Sequence, residues 1–374
     1  MSYKKGLTVS ILLLLLQFGA VSLTHAQLTA LPDGGNNRAT VSESVGITNV
    51  TIKYSRPGVK GREGQIWGKL IPTGLTDQGF GTSKAAPWRA GANENTTIEF
   101  NTDVKIEGQD LPAGKYGLFV TYDPNECTVI FSRNSTSWGS FFYDPKEDAL
   151  QVKVKPVALD KSVERLQYEF KDQQESSATI ALEWEKLAIP FRIETDIVKT
   201  QLESFRRELR SDKGFRWEAW VQAAQFCIQH KTDLDEALDW ANTAVSGTFI
   251  GQKNFMTLST KAQVLTLQGK TAEADAAMKE ALPLGQVADI HQYARQLLMQ
   301  KRTKEAFDAF KLNYDKHPGE FTTNMGMARA WSAMGDYKKA LAFLQKAQPQ
   351  APDQVNKDNI AKLLKLAEQG KDIN

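Results

Sequence analysis

Cysteine and histidine are scarce in this chain, with two Cys and four His among 374 residues. That excludes a disulfide scaffold and almost every multi-ligand zinc site. An excess of one charge is missing too, because 46 Lys and Arg face 44 Asp and Glu. The near balance removes the electrostatic footprint of a general nucleic-acid binder. Long apolar runs are absent but for one, from Leu7 to Ala20, which follows Lys4 and Lys5 and precedes Thr24-His25-Ala26. It holds fewer than about 18 strongly apolar residues, too few to span about 30 Å of hydrocarbon. Its charged start, apolar middle and small-residue end predict a cleaved secretory signal over residues 1–26. The expected location is therefore periplasmic or secreted, with no membrane span left after cleavage. Removing Lys4 and Lys5 lowers the formal charge from +2 to 0 and leaves His230, His291 and His317.

These histidines all fall in the second half of the chain, so the first half cannot assemble a His-dependent nucleophile or a His-ligated metal by itself. In the second half they are isolated, never at a ligand spacing. Gly79-Phe80-Gly81-Thr82-Ser83-Lys84 has glycine and lysine without phosphate-loop spacing. No catalytic residue, metal or cofactor is expected on this basis. Cys127 and Cys227 lie a hundred positions apart, and two buried free thiols are expected.

What is present is a change of texture. Residues 27–40, rich in Gly, Asn and Pro, predict a mobile lead-in. From Val41 to Asp196 short alternating runs predict about eight strands: Val50, Ile52 and Tyr54; Ile98 and Phe100; Val104 and Ile106; Val129 and Phe131; Leu150, Val152 and Val154; Leu166, Tyr168 and Phe170; Ile180, Leu182 and Trp184. The connections are too short for parallel crossovers, so an antiparallel β-sandwich or jelly-roll-like domain is expected over 41–196. Ile71 to Pro87, interrupted by Gly74, Gly79 and Gly81, reads as a long surface loop.

After Asp196 apolar residues recur at helical spacing and the pattern repeats near every 34 residues. Ala328, Trp331, Gly335, Tyr337, Ala340, Leu344, Ala347 and Pro352 follow a tetratricopeptide (TPR) pattern. Ala262, Leu265, Gly269, Ala274, Met278 and Ala281 fit the same frame, as do Ala294, Leu297, Ala306, Phe310 and Pro318. The first copy keeps only Ala237 and Ala244. Four TPR-like hairpins over about 218–352 and a terminal helix from Asn356 to Glu368 are expected, within an α-helical repeat domain over 197–374.

Two polar-aromatic clusters interrupt the strands. One runs from Tyr54 through Arg56, Lys60 and Arg62 to Trp67; the other from Trp88 and Arg89 through Asn93 and Glu94 to Thr97. With Leu111-Pro112-Ala113-Gly114-Lys115-Tyr116 and Trp138-Gly139, these segments resemble the secreted bacterial domain of unknown function 2911 family, over about residues 40–195. The resemblance implies an extracytoplasmic β domain without established activity, often followed by TPR-like helices. Thr73 to Pro87 is longer than the usual connection in that family and changes the mouth of any neighbouring pocket.

Two roles are open to the clusters. Arg56, Lys60, Arg62 and Arg89 present donors and Trp67, Trp88 and Trp138 flat faces, with Asn93 and Glu94 beside them, a set suited to a sugar, a peptidoglycan fragment or a carboxylated ligand. Alternatively the Trp and Arg bodies fill the ends of the domain, Glu94 pairs with Arg89, and Asn93 and Asn95 hold turns. A hydrolase would have to rely on Glu63, Glu94, Glu99 or Asp103, two of them about 5 to 10 Å apart. For these residues the structural role is preferred, as the commoner use of buried aromatic and turn residues. The whole chain reads as a non-enzymatic binding protein, its helical repeats for a protein partner and its β domain open to a small ligand, with a hydrolase acting on envelope or carbohydrate substrates as the alternative.

Overall fold

A computed structural model describes residues 31–374. The expected signal over 1–26 and the start of the lead-in lie outside the described residues. The chain divides into two compact units, one ending at Ile197 and the other Val198–Asn374.

The first unit contains ten strands among the described residues: β1 (Asn37–Val45), β2 (Thr48–Arg56), β3 (Thr97–Phe100), β4 (Val104–Ile106), β5 (Gln109–Leu111), β6 (Gly114–Thr121), β7 (Cys127–Ser132), β8 (Asp148–Val154), β9 (Val157–Lys171) and β10 (Ser177–Glu194). They form a six-stranded sheet in the order β1-β2-β3-β6-β7-β8 and a four-stranded sheet in the order β5-β4-β10-β9. All the strand pairings are antiparallel. Both sheets feed one core, Ile52, Ile98, Leu118 and Phe131 from the larger and Leu166, Tyr168, Trp184 and Phe191 from the smaller. Each such side chain contributes about 1.5–3 kcal/mol of transfer free energy, so this core needs no metal or disulfide.

Strands β1 and β6 escape the expected pattern. Strand β1 begins at Asn37, inside the segment expected to be a mobile lead-in, and pairs with β2 from Asn37 opposite Arg56. It is an edge strand with mostly exposed side chains, so its order comes from backbone bonds that leave no hydrophobic alternation. Strand β6 is buried on both faces. Leu118 and Val120 enter the main core, while Phe119 joins Ile130 and Tyr143 in a separate small cluster. Burial on both faces erases alternation.

The second unit contains ten α-helices among the described residues: α1 (Ile197–Glu208), α2 (Trp217–His230), α3 (Leu234–Ser246), α4 (Phe255–Leu267), α5 (Thr271–Ala281), α6 (Val287–Met299), α7 (Thr303–Lys316), α8 (Phe321–Ala333), α9 (Tyr337–Ala347) and α10 (Gln354–Glu368). Helices α2 to α9 form four successive hairpins. Small residues line their contacts: Ala223, Ala224, Ala237 and Ala241 in the first, Ala262, Ala274 and Ala277 in the second, Ala294, Ala306 and Ala309 in the third. Close approach of two helices requires such residues, and larger ones such as Leu265, Phe310 and Leu344 fill the adjoining hollows. Leu202 of α1 joins the first hairpin's core, and Ile360 and Leu363 of α10 join the last. None of the helices among the described residues is long and apolar enough to cross a membrane.

Gly326 in α8 shows how tight this packing is. A Cβ added there would lie 2.6 Å from Cδ1 of Phe310, a ring that is 1% exposed. Alanine has the better helix propensity by about 1 kcal/mol, but overpacking costs about 1–3 kcal/mol. Gly326→Ala should therefore lower the stability of the helical unit, measured by thermal denaturation. A higher melting temperature would show that the ring yields freely.

Candidate functional site

The β unit contains a cavity of about 580 Å³ lined by Lys60, Arg62, Trp88, Arg89 and Asn93, with Trp184 beside them. Its opposite wall includes Pro72, Thr76 and Gln78 of the long loop after Ile71. That loop is held in place: Thr76 and Ala86 exchange backbone bonds of 3.0 and 2.8 Å, the Gly74 N–H donates to the Tyr122 carbonyl at 2.8 Å, and Gln78 Nε2 donates to Ser140 Oγ at 2.9 Å.

Strand β10 sets the position of Trp184. Its register against β9 shifts on both sides of Glu185, whose φ is 53°. Trp184 lies at the first of these shifts, its indole 6.1 Å from that of Trp88 at 21° and 6.2 Å from that of Trp67. Trp67 Nε1 donates to the Trp184 carbonyl at 3.3 Å, and Trp88 Nε1 to the Gly91 carbonyl at 3.1 Å. Trp184 Nε1 is buried without a partner among the described residues.

The cationic side chains are tied to backbone oxygens. Lys60 Nζ donates to Gly34 O at 2.8 Å, Arg62 Nε to Val59 O at 2.9 Å and Nη2 to Gly58 O at 2.8 Å, and Arg89 Nη1 to Asn93 O at 2.7 Å. The Arg89 guanidinium also lies 5.1 Å from the centre of the Phe141 ring. Burial pushes its pKa below the ordinary arginine value. No carboxylate lines the cavity.

Five of the nine residues singled out in the sequence meet here: Lys60, Arg62, Trp88, Arg89 and Asn93. Trp67 stands behind them, packed on Trp88 and Trp184. Arg56, Glu94 and Trp138 are not among the lining residues. Arg56 Nε donates to Leu166 O at 2.8 Å, and Trp138 is 51% exposed. Glu94 does not pair with Arg89 as expected. It pairs with Arg38 of β1, the edge strand hidden from the sequence pattern, and accepts from Ser55 Oγ at 3.1 Å. Burial would raise the Glu94 carboxyl, but bonds from its own backbone, Arg38 and Ser55 outweigh it and hold the pKa below the usual value. Asn93 reaches Asp33 O at 3.1 Å and Asn95 reaches Asn134 O at 3.3 Å, each a contact distant in sequence. Trp184, Thr76 and Gln78 were not anticipated. Trp184 was legible only as a member of an inward stripe.

The helical unit contains a second cavity, of about 430 Å³, between α4, α5 and α6. Asp289, Gln292, Gln296 and Gln300 line it at helical spacing, with Gln263 of α4 and Arg302 opposite. Arg302 is fixed by Glu305 and by Asp275 Oδ1 at 2.7 Å.

No cluster of three or more metal-ligating side chains occurs among the described residues. Both cysteines are buried and free, and burial raises both thiols, Cys227 to about 11. His230 packs on Phe226 at 4.3 Å. His291 packs on Phe310 at 5.3 Å, and burial, followed by Arg329 and Arg295, lowers its pKa to about 4. Its folded pKa thus lies below the unfolded value of about 6.5. Folding stability contributed by the neutral ring is complete above that value and is lost as pH falls toward about 4. Urea denaturation should show the helical unit weakening over this window, with a smaller slope in His291→Gln. An identical slope would clear His291.

An antiparallel β unit with a cation-lined cavity, followed by a unit of helical hairpins, defines the class of chain. Residues 36–193 match the family described as "Protein of unknown function (DUF2911)", and residues 297–365 match the tetratricopeptide repeat. The first match falls on the β unit, whose motifs resemble the same family, and the second falls within the helical unit. No curated protein matches the chain. Among solved structures, "Crystal structure of YrrB: a TPR protein with an unusual peptide-binding site" covers 44% of this chain and 84% of its own, with 19% identity and a TM-score of 0.31. "Crystal structure of MamA" covers 44% and 92%, with 12% identity and a TM-score of 0.32.

Proposed function

We propose that the protein is a non-enzymatic binding protein whose helical unit holds an extended segment of a partner protein. The observation that carries this is the row of amides Gln292 and Gln296 on α6 and Gln300 just past its end, lining the second cavity together with Gln263 of α4. A primary amide both donates and accepts, so a row of them can bond to the backbone of an extended chain with little demand on its side chains. Tyr293 and Met278 add apolar surface beside the row. The TPR match over 297–365 supports the same use, since stacked repeats commonly recognise protein partners. Export belongs to this reading, supported by the signal pattern of residues 1–26, and would place the partner in the periplasm or outside the cell.

A second reading concerns the β unit, whose cation-lined cavity serves as a small-ligand site. Its volume falls within the usual range of about 300–1,000 Å³ for such sites. A hydrolase acting there would need paired carboxylates, and Glu63, Glu94, Glu99 and Asp103 do not line it.

Selection of phage-displayed unstructured peptides on the full-length protein should enrich binders. Gln292→Ala with Gln296→Ala should weaken an enriched peptide about tenfold or more by fluorescence anisotropy, a loss of about 1.4 kcal/mol. Both side chains are exposed, so the helical circular dichroism should be unchanged. Unaltered affinity in the double variant, or no enrichment, would contradict the proposal.

A further inference from the structure

We propose that the cavity of the β unit binds a small organic anion, its oxyanion group held by Lys60, Arg62 and Arg89 and its flat apolar body resting against Trp88, which the buried Trp184 backs from behind. This rests on the reading of that cavity as a ligand site and names the chemistry of the ligand.

The first argument is the charge left uncompensated. Three cations line one cavity without a lining carboxylate, and none of them forms an ion pair among the described residues. The nearest acidic group in contact with this set, Glu164, accepts from the backbone N–H of Lys60 at 3.1 Å, not from its ammonium. Some exposed cations elsewhere on the unit find carboxylates, as Arg38 does with Glu94 and Lys153 with Glu126, and others such as the exposed Lys53 and Lys115 form no ion pair among the described residues; what sets this group apart is that its three cations converge on one concave site. Arg62 and Arg89 are half-buried and Lys60 is exposed at the rim; cations sharing a concave site repel one another and focus a positive potential into it, which an entering anion relieves.

The second argument is preorganisation. Each cation is anchored by a backbone carbonyl, which fixes the side chain without cancelling its charge. Arg62 spends Nε and Nη2 on carbonyls and keeps Nη1; Arg89 spends Nη1 and keeps Nη2. Guanidinium donors held in this way match a carboxylate or phosphate geometrically. Gly139 makes the Arg89 position possible, since a Cβ there would stand 2.5 Å from the guanidinium carbon. The low pKa that burial gives Arg89 is what a guanidinium without a counter-ion should show.

The third argument separates an anion from a neutral sugar. Sugar hydroxyls need acceptors as well as donors, and the polar side chains here are three cations with Asn36, Thr76, Gln78, Asn93 and Ser140. Asn93 is already bonded to Asn36 and Asp33, and Gln78 to Ser140. A neutral ligand would leave the cations unmatched while displacing their water. The Trp88 N–H is committed to Gly91, so the indole offers an apolar surface rather than a donor.

The test titrates the full-length protein with benzoate, its neutral isostere benzamide, inorganic phosphate and N-acetylglucosamine, by calorimetry and Trp fluorescence. Benzoate should bind saturably and at least about tenfold more tightly than benzamide, and Lys60→Gln should weaken benzoate about threefold to tenfold while leaving benzamide unchanged. Equal binding of benzoate and benzamide, or tighter binding of N-acetylglucosamine, would overturn the anion assignment and leave the cavity as a site for neutral ligands. Phosphate binding as tightly as benzoate would overturn the part given to the indoles. No saturable binding of any probe would overturn the ligand-site reading along with it.

Discussion

The break in strand β10 is the constraint on which the β unit depends. Over 18 residues this strand pairs with both β9 and β4, and a regular ladder of that length would carry one uninterrupted register. The shifts around Glu185 prevent this. They place a non-glycine residue at a φ of 53°, a conformation that costs about 1–2 kcal/mol. The surroundings maintain it. Buried Glu185 accepts from the backbone N–H of Gly64, and buried Glu183 pairs with Lys171 and accepts from Gln167 at 3.2 Å. Between these two satisfied carboxylates Trp184 turns into the core and packs behind Trp88 of the cavity wall. Glu185 thereby ties the loop that carries Arg62 to the strand that carries Trp184.

From this follows the character of the cavity. Its cations are positioned by carbonyls and its aromatic side by mutual packing of Trp67, Trp88, Trp184 and Tyr122. A site whose side chains are already fixed loses little conformational entropy when a ligand enters. The loop after Ile71 contributes further wall through backbone pairing with Tyr122 and through Gln78, so this loop builds a side of the cavity. The helical unit solves a different problem. Its hairpins close on alanines, which leaves the long polar side chains of α4 and α6 on their outer faces. On the proposals made above, one unit would offer fixed charge to a compact ligand and the other adaptable amides to an extended one.

The sequence disclosed the parts of this plan that repeat or alternate. The inward stripes of β2, β3, β4, β8 and β9 were legible because exposed or half-buried residues alternate with them. Those of β7 and β10 were legible as runs of apolar residues, although Ile130, Glu183 and Glu185 on the other face are buried too, and the hairpins because Ala262, Ala294 and Ala328 recur 32 and 34 residues apart. Strand β1 was hidden because it is held by backbone bonds, and β6 because both its faces are dry. The candidate site was half legible. Lys60, Arg62, Trp88 and Arg89 stood out as charged and aromatic residues breaking a strand pattern. Nothing in one dimension distinguished them from Arg56 or Trp138, since the distinction is whether a carbonyl turns the side chain inward. The Glu94 partner was misjudged for a related reason: Arg38 lies 56 positions away on a strand that no pattern marked.

The most direct measurement is the indole N–H region of the ¹H–¹⁵N NMR spectrum during a benzoate titration. The chain has eight tryptophans, and the account predicts progressive shifts for Trp88 and Trp184. The exposed Trp138 and the four indoles of the helical unit, Trp217, Trp220, Trp240 and Trp331, should stay fixed. Shifts confined to Trp138 or to the helical unit, with Trp88 and Trp184 unmoved, would contradict it.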